Sequence, residues 1–192
     1  MQFKYTNREN KPIAPVTRLS GAGAVLGKAE PKDVLSIRVA GNEQIPLKFN
    51  SDYVKTERGV IHTFDYCLQN DQDNFAVEWK ERDDFISSLA LSKKWIHELD
   101  KIKRAREWWL PVIYVVGMSF QDVAQYDYSI FTSGHVTSQY IYRRIASLIY
   151  DYNAHVIFAG SREGGAYVVA LLLKRRKDCL TLKDKHNAQH KA

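Results

Sequence analysis

From Val34 onward the chain alternates between short apolar runs and stretches of helical periodicity. Val34 to Val39 reads as a strand, Ile45 to Phe49 as a short second one, and Gly59 to Leu68 as a third with Val60, His62, Phe64 and Tyr66 on one face. The polar stretch Asn70 to Asn74 predicts a turn, so that Phe75 to Lys80 returns as a fourth strand and closes a hairpin with the third. Asp83 and Asp84 are placed to cap a helix whose apolar positions are Phe85, Ile86, Leu89 and Leu91. A second helical stretch, Trp95 to Trp109, is spaced by Ile96, Leu99, Ile102 and Trp109. Pro111 to Gly117 is a buried strand, Val136 to Tyr152 a helix through Ile141, Ile145, Leu148 and Ile149, His155 to Ala159 a strand and Glu163 to Lys177 the last helix. An initial meander followed by alternating strands and helices predicts an α/β domain, a central mixed β-sheet flanked by helices.

Domain organisation follows from composition shifts. Residues 1–33 hold three of the prolines and Gly21, Gly23 and Gly27, and read as an N-terminal arm. Those glycines follow no strand and lack a downstream acid for a ribose, so they do not make a dinucleotide site. Residues 34–178 form the domain, and residues 179–192 read as a mobile basic tail. With 192 residues and 45% hydrophobic positions, a single core suffices without disulfides or a structural metal. Cys67 and Cys179 form no C-x-x-C pair, so they are expected as reduced thiols in an intracellular protein. The longest apolar run, Ala166 to Leu173, falls far short of the roughly 20 residues of a membrane span. The net charge of +6 is compatible with a phosphate-bearing partner and, alone, says little more.

The chemistry is concentrated around the predicted hairpin. Glu78 and Lys80 are two positions apart and project from one face of a strand, and Asp65 on the partner strand can lie beside them. Two carboxylates and an ammonium would converge there. Carboxylate oxygens suit Mg²⁺ or Mn²⁺, which would polarise a scissile phosphate while Lys80 stabilises charge on the phosphoryl oxygens. The plain alternative is that Glu78 and Lys80 line the solvated face of an edge strand and merely pair across it. Asp84 is equally explained as a helix cap, and His62 and His97 as lone structural histidines. The Trp95, Trp108 and Trp109 set is expected to pack helix against sheet.

Asp65, Glu78 and Lys80 resemble the PD-(D/E)xK signature of restriction-endonuclease-like nucleases. The surrounding block, Val77-Glu78-Trp79-Lys80 through Asp84-Phe85 to Ser88-Leu89, is similar to the V-E-R-K-x-x-x-D-[LF]-x-x-S-L block of XPF-type structure-specific endonucleases. Further matches are Glu43-Gln44 to Phe49 with the end of the family's D-x-R-E-Q-x-P-L motif, Asp65-Tyr66 with its G-D-Y turn, and Lys94, Glu98 and Leu99 with its next helix. Pro111 to Gly117 stands for its P-x-x-V-V-E-G strand, and Phe158-Ala159-Gly160 for the domain's close. The resemblance implies a restriction-endonuclease-like fold and an Mg²⁺-dependent endodeoxyribonuclease acting on branched or structured DNA in repair or recombination. It implies Asp65, Glu78 and Lys80 as catalytic residues, Asp65, Glu78 and Glu43 as metal ligands, and Asp84 in support. Lys93, Lys94, Lys101 and Arg104 are expected to follow the nucleic-acid backbone, and a homodimer is expected because related domains pair.

The chain departs from that pattern at Ala40 and Asn42, where the family has Asp and Arg, at Trp79 for Arg, and at Phe64 for Gly. Ala40 removes a candidate ligand, and Asn42 and Trp79 remove donors for phosphate or carboxylate. These losses open a second reading, a catalytically weakened nuclease fold that serves as a DNA-binding or dimerisation module.

Overall fold

A computed structural model of the chain describes residues 34–131 and 134–189. The arm assigned to residues 1–33, with its glycines, lies outside them. The elements are β1 (Leu35–Ala40), β2 (Val54–Gly59), β3 (Tyr66–Leu68), β4 (Ala76–Lys80), α1 (Arg82–Ala90), α2 (Ser92–Glu107), β5 (Ile113–Val116), α3 (Asp122–Gln125), α4 (Ser138–Tyr150), β6 (His155–Phe158) and α5 (Arg162–Gln189). The six strands form one mixed sheet in the order β2-β1-β3-β4-β5-β6. The pairs β1–β2, β4–β5 and β5–β6 are parallel, and β3 runs antiparallel to both β1 and β4.

The alternation of side chains along the strands divides the core into two layers. Cys67, Ala76, Tyr114 and Val116 face α1, α2 and α4 through Phe85, Leu89, Ile102 and Ile141. Ile37, Val39, Tyr66, Val77, Trp79 and Val115 face the opposite way, onto Ala166, Val169, Ala170 and Leu173 of α5.

Three sequence expectations are corrected. Ile45 to Phe49 is not a strand: Pro46 cannot donate to a ladder, and the Leu47 N–H donates instead to the Tyr66 hydroxyl oxygen at 2.8 Å. The strand lies at Val54–Gly59, whose run VKTERG has only one buried residue, Val54, because it is a charged sheet edge without an alternating pattern. Of the predicted third strand, Gly59 ends β2 and Tyr66–Leu68 forms β3, with Val60 between them left 78% exposed.

Helical expectations shift as well. In α2 the buried residues are Trp95, Glu98, Ile102 and Ala105, while Ile96 is exposed. Of the three tryptophans only Trp95 packs in the core; Trp108 is stacked on His62 at 4.1 Å, and Trp109 is 93% exposed. His62 is held there by Asp73 at 2.8 Å, a structural arrangement. The last helix runs on to Gln189 rather than giving way to a tail near residue 178, with Leu180 still packing against the core and Lys174 bonded to Asp178 at 3.3 Å. Charge on a solvent face does not end a helix, and Lys174–Asp178 is a supporting i,i+4 pair.

Candidate active site

Strand β4 lies inside the sheet, between β3 and β5. Its alternation sends Val77 and Trp79 to the α5 face and Glu78 and Lys80 to the face covered by α1 and α2. Glu78 is 2% and Lys80 6% exposed, which excludes a solvated edge pair. Charges so buried cost several kcal/mol each unless partners offset the lost hydration.

Those partners come from two helices and one strand. Lys80 Nζ donates to Glu98 Oε1 at 2.7 Å and to Asp84 Oδ2 and Ser88 Oγ at 3.4 Å, and lies 3.5 Å from Glu78 Oε1. The Tyr114 hydroxyl donates to Glu98 Oε2 at 3.1 Å. Lys101, from the next turn of α2, donates to Glu78 Oε1 and stands 3.6 Å from Glu98 Oε1. Burial pulls the Lys80 ammonium toward its neutral form, but the charges of Glu78, Glu98 and Asp84 hold its pKa above the ordinary lysine value. Burial likewise pushes Glu98 up, and Lys80 and Lys101 overcome it, leaving the carboxylate below its usual range.

Asp65 reaches the same place through strand register. Tyr66 pairs with Val77 and Cys67 with Ala76, so one step further Asp65 stands across from Glu78. Its N–H donates to the Val77 carbonyl at 3.0 Å, and its Oδ2 accepts from the Trp79 N–H at 2.9 Å. On the other side the Ala40 N–H donates to the Asp65 carbonyl at 2.8 Å. Ala40, Asp65, Glu78 and Tyr114 thus form one row across neighbouring strands, and a methyl group occupies the first place in it. Burial, and then the adjacent Glu78 charge, push the Asp65 carboxyl well above the usual carboxylate range. The turn into β3 is made by Phe64 at φ +71°, a left-handed conformation that favours glycine. Its ring is buried and meets Tyr114 edge-on at 6.3 Å, packing that holds the strained residue in place.

Glu43 stands near enough for its charge to add to the upward push on the Asp65 carboxyl. It sits in the loop after β1, its Oε1 accepts from the Ile45 N–H at 3.1 Å, and it lines an open cleft with Gln44, Ile45, Trp79, Glu81, Asp84 and Arg162. Among the described residues no three His, Cys, Asp or Glu side chains gather closely enough to hold a metal ion. Asp65 and Glu78 nevertheless have the donor chemistry a hard divalent cation takes: both offer carboxylate oxygen, and Glu78 Oε2 is buried without a partner.

Asp84 is not a helix cap. Glu81 holds the cap position of α1, and Asp84 in the first turn binds Lys80 at 3.4 Å and Lys94 at 3.3 Å. Trp79 does not come between Glu78 and Lys80, since its indole fills a slot on the opposite face against Gly117 and Gly165. Of the expected nucleic-acid contacts, Lys93 and Arg104 stand exposed on α2, and Lys94 is tied to Asp84 and Ser87. Lys101 is corrected: it turns inward to Glu78, because it lies one turn from Glu98 on the side of α2 that faces the sheet. Sequence reasoning missed Lys101 and Tyr114 as members of the acid cluster, and Arg162, which pairs with Glu81 and donates to the carbonyls of Ile45 and Pro46. The i,i+3 pair Glu98/Lys101 was the available signal.

A mixed six-stranded sheet with helices on both faces, with Asp65, Glu78 and a buried lysine at its centre, makes this an α/β domain. The chain matches the ERCC4 domain over residues 37–172 and belongs to that family, one of structure-specific DNA nucleases. No curated protein matches it. Among solved structures it is similar to XPF from Aeropyrum pernix, with 20% identity and a TM-score of 0.58 over 78% of this chain and 69% of that one. It is similar also to XPF from Aeropyrum pernix in complex with DNA, with 20% identity and a TM-score of 0.56 over 75% of this chain and 66% of that one. No helix of the described residues is long and apolar enough to cross a membrane.

Proposed function

We propose that this chain is a divalent-cation-dependent endonuclease that hydrolyses phosphodiester bonds in branched or structured DNA. The observation that carries the reading is the convergence of Asp65, Glu78 and Lys80 at the centre of the sheet, with one Glu78 oxygen left free. Asp65 and Glu78 would hold Mg²⁺ or Mn²⁺, which when bound polarises the phosphate and lowers the pKa of a coordinated water. Lys80, kept protonated by its carboxylate neighbours, supplies positive charge for the phosphoryl oxygens. Asp84 and Glu98 orient that ammonium. Lys93 and Arg104 offer cations to the DNA backbone, and the Aeropyrum pernix XPF bound to DNA supports DNA as the partner of this fold.

Purified protein is expected to nick flap, fork or four-way substrates in Mg²⁺ or Mn²⁺, and Glu78→Ala to lower the rate by about a hundredfold or more. Equal cutting by that variant defeats the reading. A second reading, a nuclease fold retained for DNA binding or dimerisation, is favoured by Ala40 in the acidic row and by Trp79 packed away on the α5 face. It predicts wild-type protein that binds these substrates, does not nick them, and binds equally well as Glu78→Ala.

The edge strand β6 carries an open apolar groove lined by Ile113, Ile149, Ala154, Val156, Ile157 and Leu172. A second copy of the chain is the occupant this reading assigns to it, giving a homodimer.

A further inference from the structure

Two ammonium groups serve Glu78 and Glu98, and they are not equivalent. Lys80 extends from a central strand, its side chain is 7% exposed, and it has four polar neighbours in Glu78, Asp84, Ser88 and Glu98. It cannot leave without uncovering the core. Lys101 extends from α2, its side chain is 28% exposed, it forms ion pairs with the two glutamates, and its charge reaches Asp65 as well. A flexible four-carbon stem at the rim can swing into solvent without uncovering the core, and the charge it leaves on Glu78 then needs another cation to offset it.

The two oxygens of Glu78 differ in the same sense. Oε1 takes both lysines, while Oε2 is buried without a partner. One oxygen of the carboxylate is thus occupied by ammonium and the other is unpartnered, and Asp65 stands across from it. With Ala40 at the head of the row, the site has fewer carboxylates to draw in a dication. An ammonium on one oxygen of that carboxylate opposes a cation arriving at the other, because like charges a few ångströms apart in a poorly hydrated site repel strongly.

We propose that Lys101 is a displaceable counter-ion of this site, which neutralises Glu78 in the absence of a divalent cation and swings out when one binds. The inference rests on the cation reading given above and adds to it that Lys101 competes with the cation. Cation affinity is then set by α2 as well as by the acidic row, and removing the competitor tightens binding.

The test uses Mn²⁺ alone, titrated calorimetrically into the full chain and into Lys101→Met, which keeps the stem and removes the charge. Lys101→Met is expected to bind Mn²⁺ roughly fivefold to tenfold more tightly. In the wild-type chain, acylation of Lys101 by a soluble acetyl ester, read by mass spectrometry, is expected to rise on adding saturating Mn²⁺ while that of Lys93 stays constant. Equal or weaker binding by Lys101→Met, or a Lys101 acylation rate that Mn²⁺ does not change, overturns the counter-ion role and leaves the cation reading standing. Absence of Mn²⁺ binding by both proteins overturns the cation reading and the counter-ion role together. If Lys101→Met does not fold, the wild-type acylation measurement decides.

Discussion

At the scale of single residues the site is a balance of buried charges, and that balance carries a pH signature. Glu98 and Asp84 are both pushed up by burial and brought below their ordinary values by lysine neighbours, Lys80 for each, with Lys101 for Glu98 and Lys94 for Asp84. A carboxylate whose folded pKa is depressed contributes stability above its unfolded value, and that contribution is lost as the pH falls through the folded value. The expected outcome is an acid limb in which the urea midpoint drops below about pH 4, and which is shallower in Glu98→Gln. Asp65 has the opposite sign: its raised pKa gives a contribution present at low pH and lost as the pH rises, so it adds nothing to the acid limb. Urea denaturation of wild type and Glu98→Gln across the acid range checks this. Asp65, Glu78 and Lys80 were legible because a period of two and one hairpin suffice to bring them together. Lys101 was not, since a lysine on an amphipathic helix looks the same in sequence whether it meets solvent or a buried glutamate.

At the scale of elements, β4 and α5 are fitted to each other through Trp79. A Cβ on Gly165 would come within 2.0 Å of the indole, and one on Gly117 within 2.7 Å, so the absence of side chains at both glycines makes the slot the ring occupies. Gly165→Ala is expected to destabilise the fold by about 1–3 kcal/mol through overpacking. The smaller side chain of Trp79→Leu in the same protein should recover part of that loss, and a double-mutant cycle by urea denaturation measures the coupling. Elements with many apolar residues at regular spacing, such as α4 and β5, fell where the pattern placed them. The charged β2 and the Pro46 loop did not, because an edge strand is made by backbone pairing to β1 and a loop by a bond to Tyr66, neither of which leaves periodicity in the chain.

At the scale of the whole molecule, both faces of the sheet are covered by helices while β6 leaves an edge. Beside it Ile149 is 50% and Tyr150 90% exposed, an apolar surface next to the outer edge of β6. Sedimentation at micromolar concentration is expected to show a dimer, and Tyr150→Glu with Ile149→Lys to shift it to monomer with the helical circular dichroism unchanged. A wild-type chain that sediments only as monomer removes the dimer. The sequence by itself determined the α/β class, the hairpin that pairs Asp65 with Glu78, and Lys80 on the same face, because each depends only on local periodicity and short-range register. Only the tertiary structure decided that Glu78 and Lys80 are buried, that Glu98 and Lys101 complete their charge balance, and that a Glu43 oxygen is engaged by the Ile45 N–H. Those facts arise where α2 and the loop after β1 meet the sheet, and contacts between segments so distant along the chain are set by packing of the whole core.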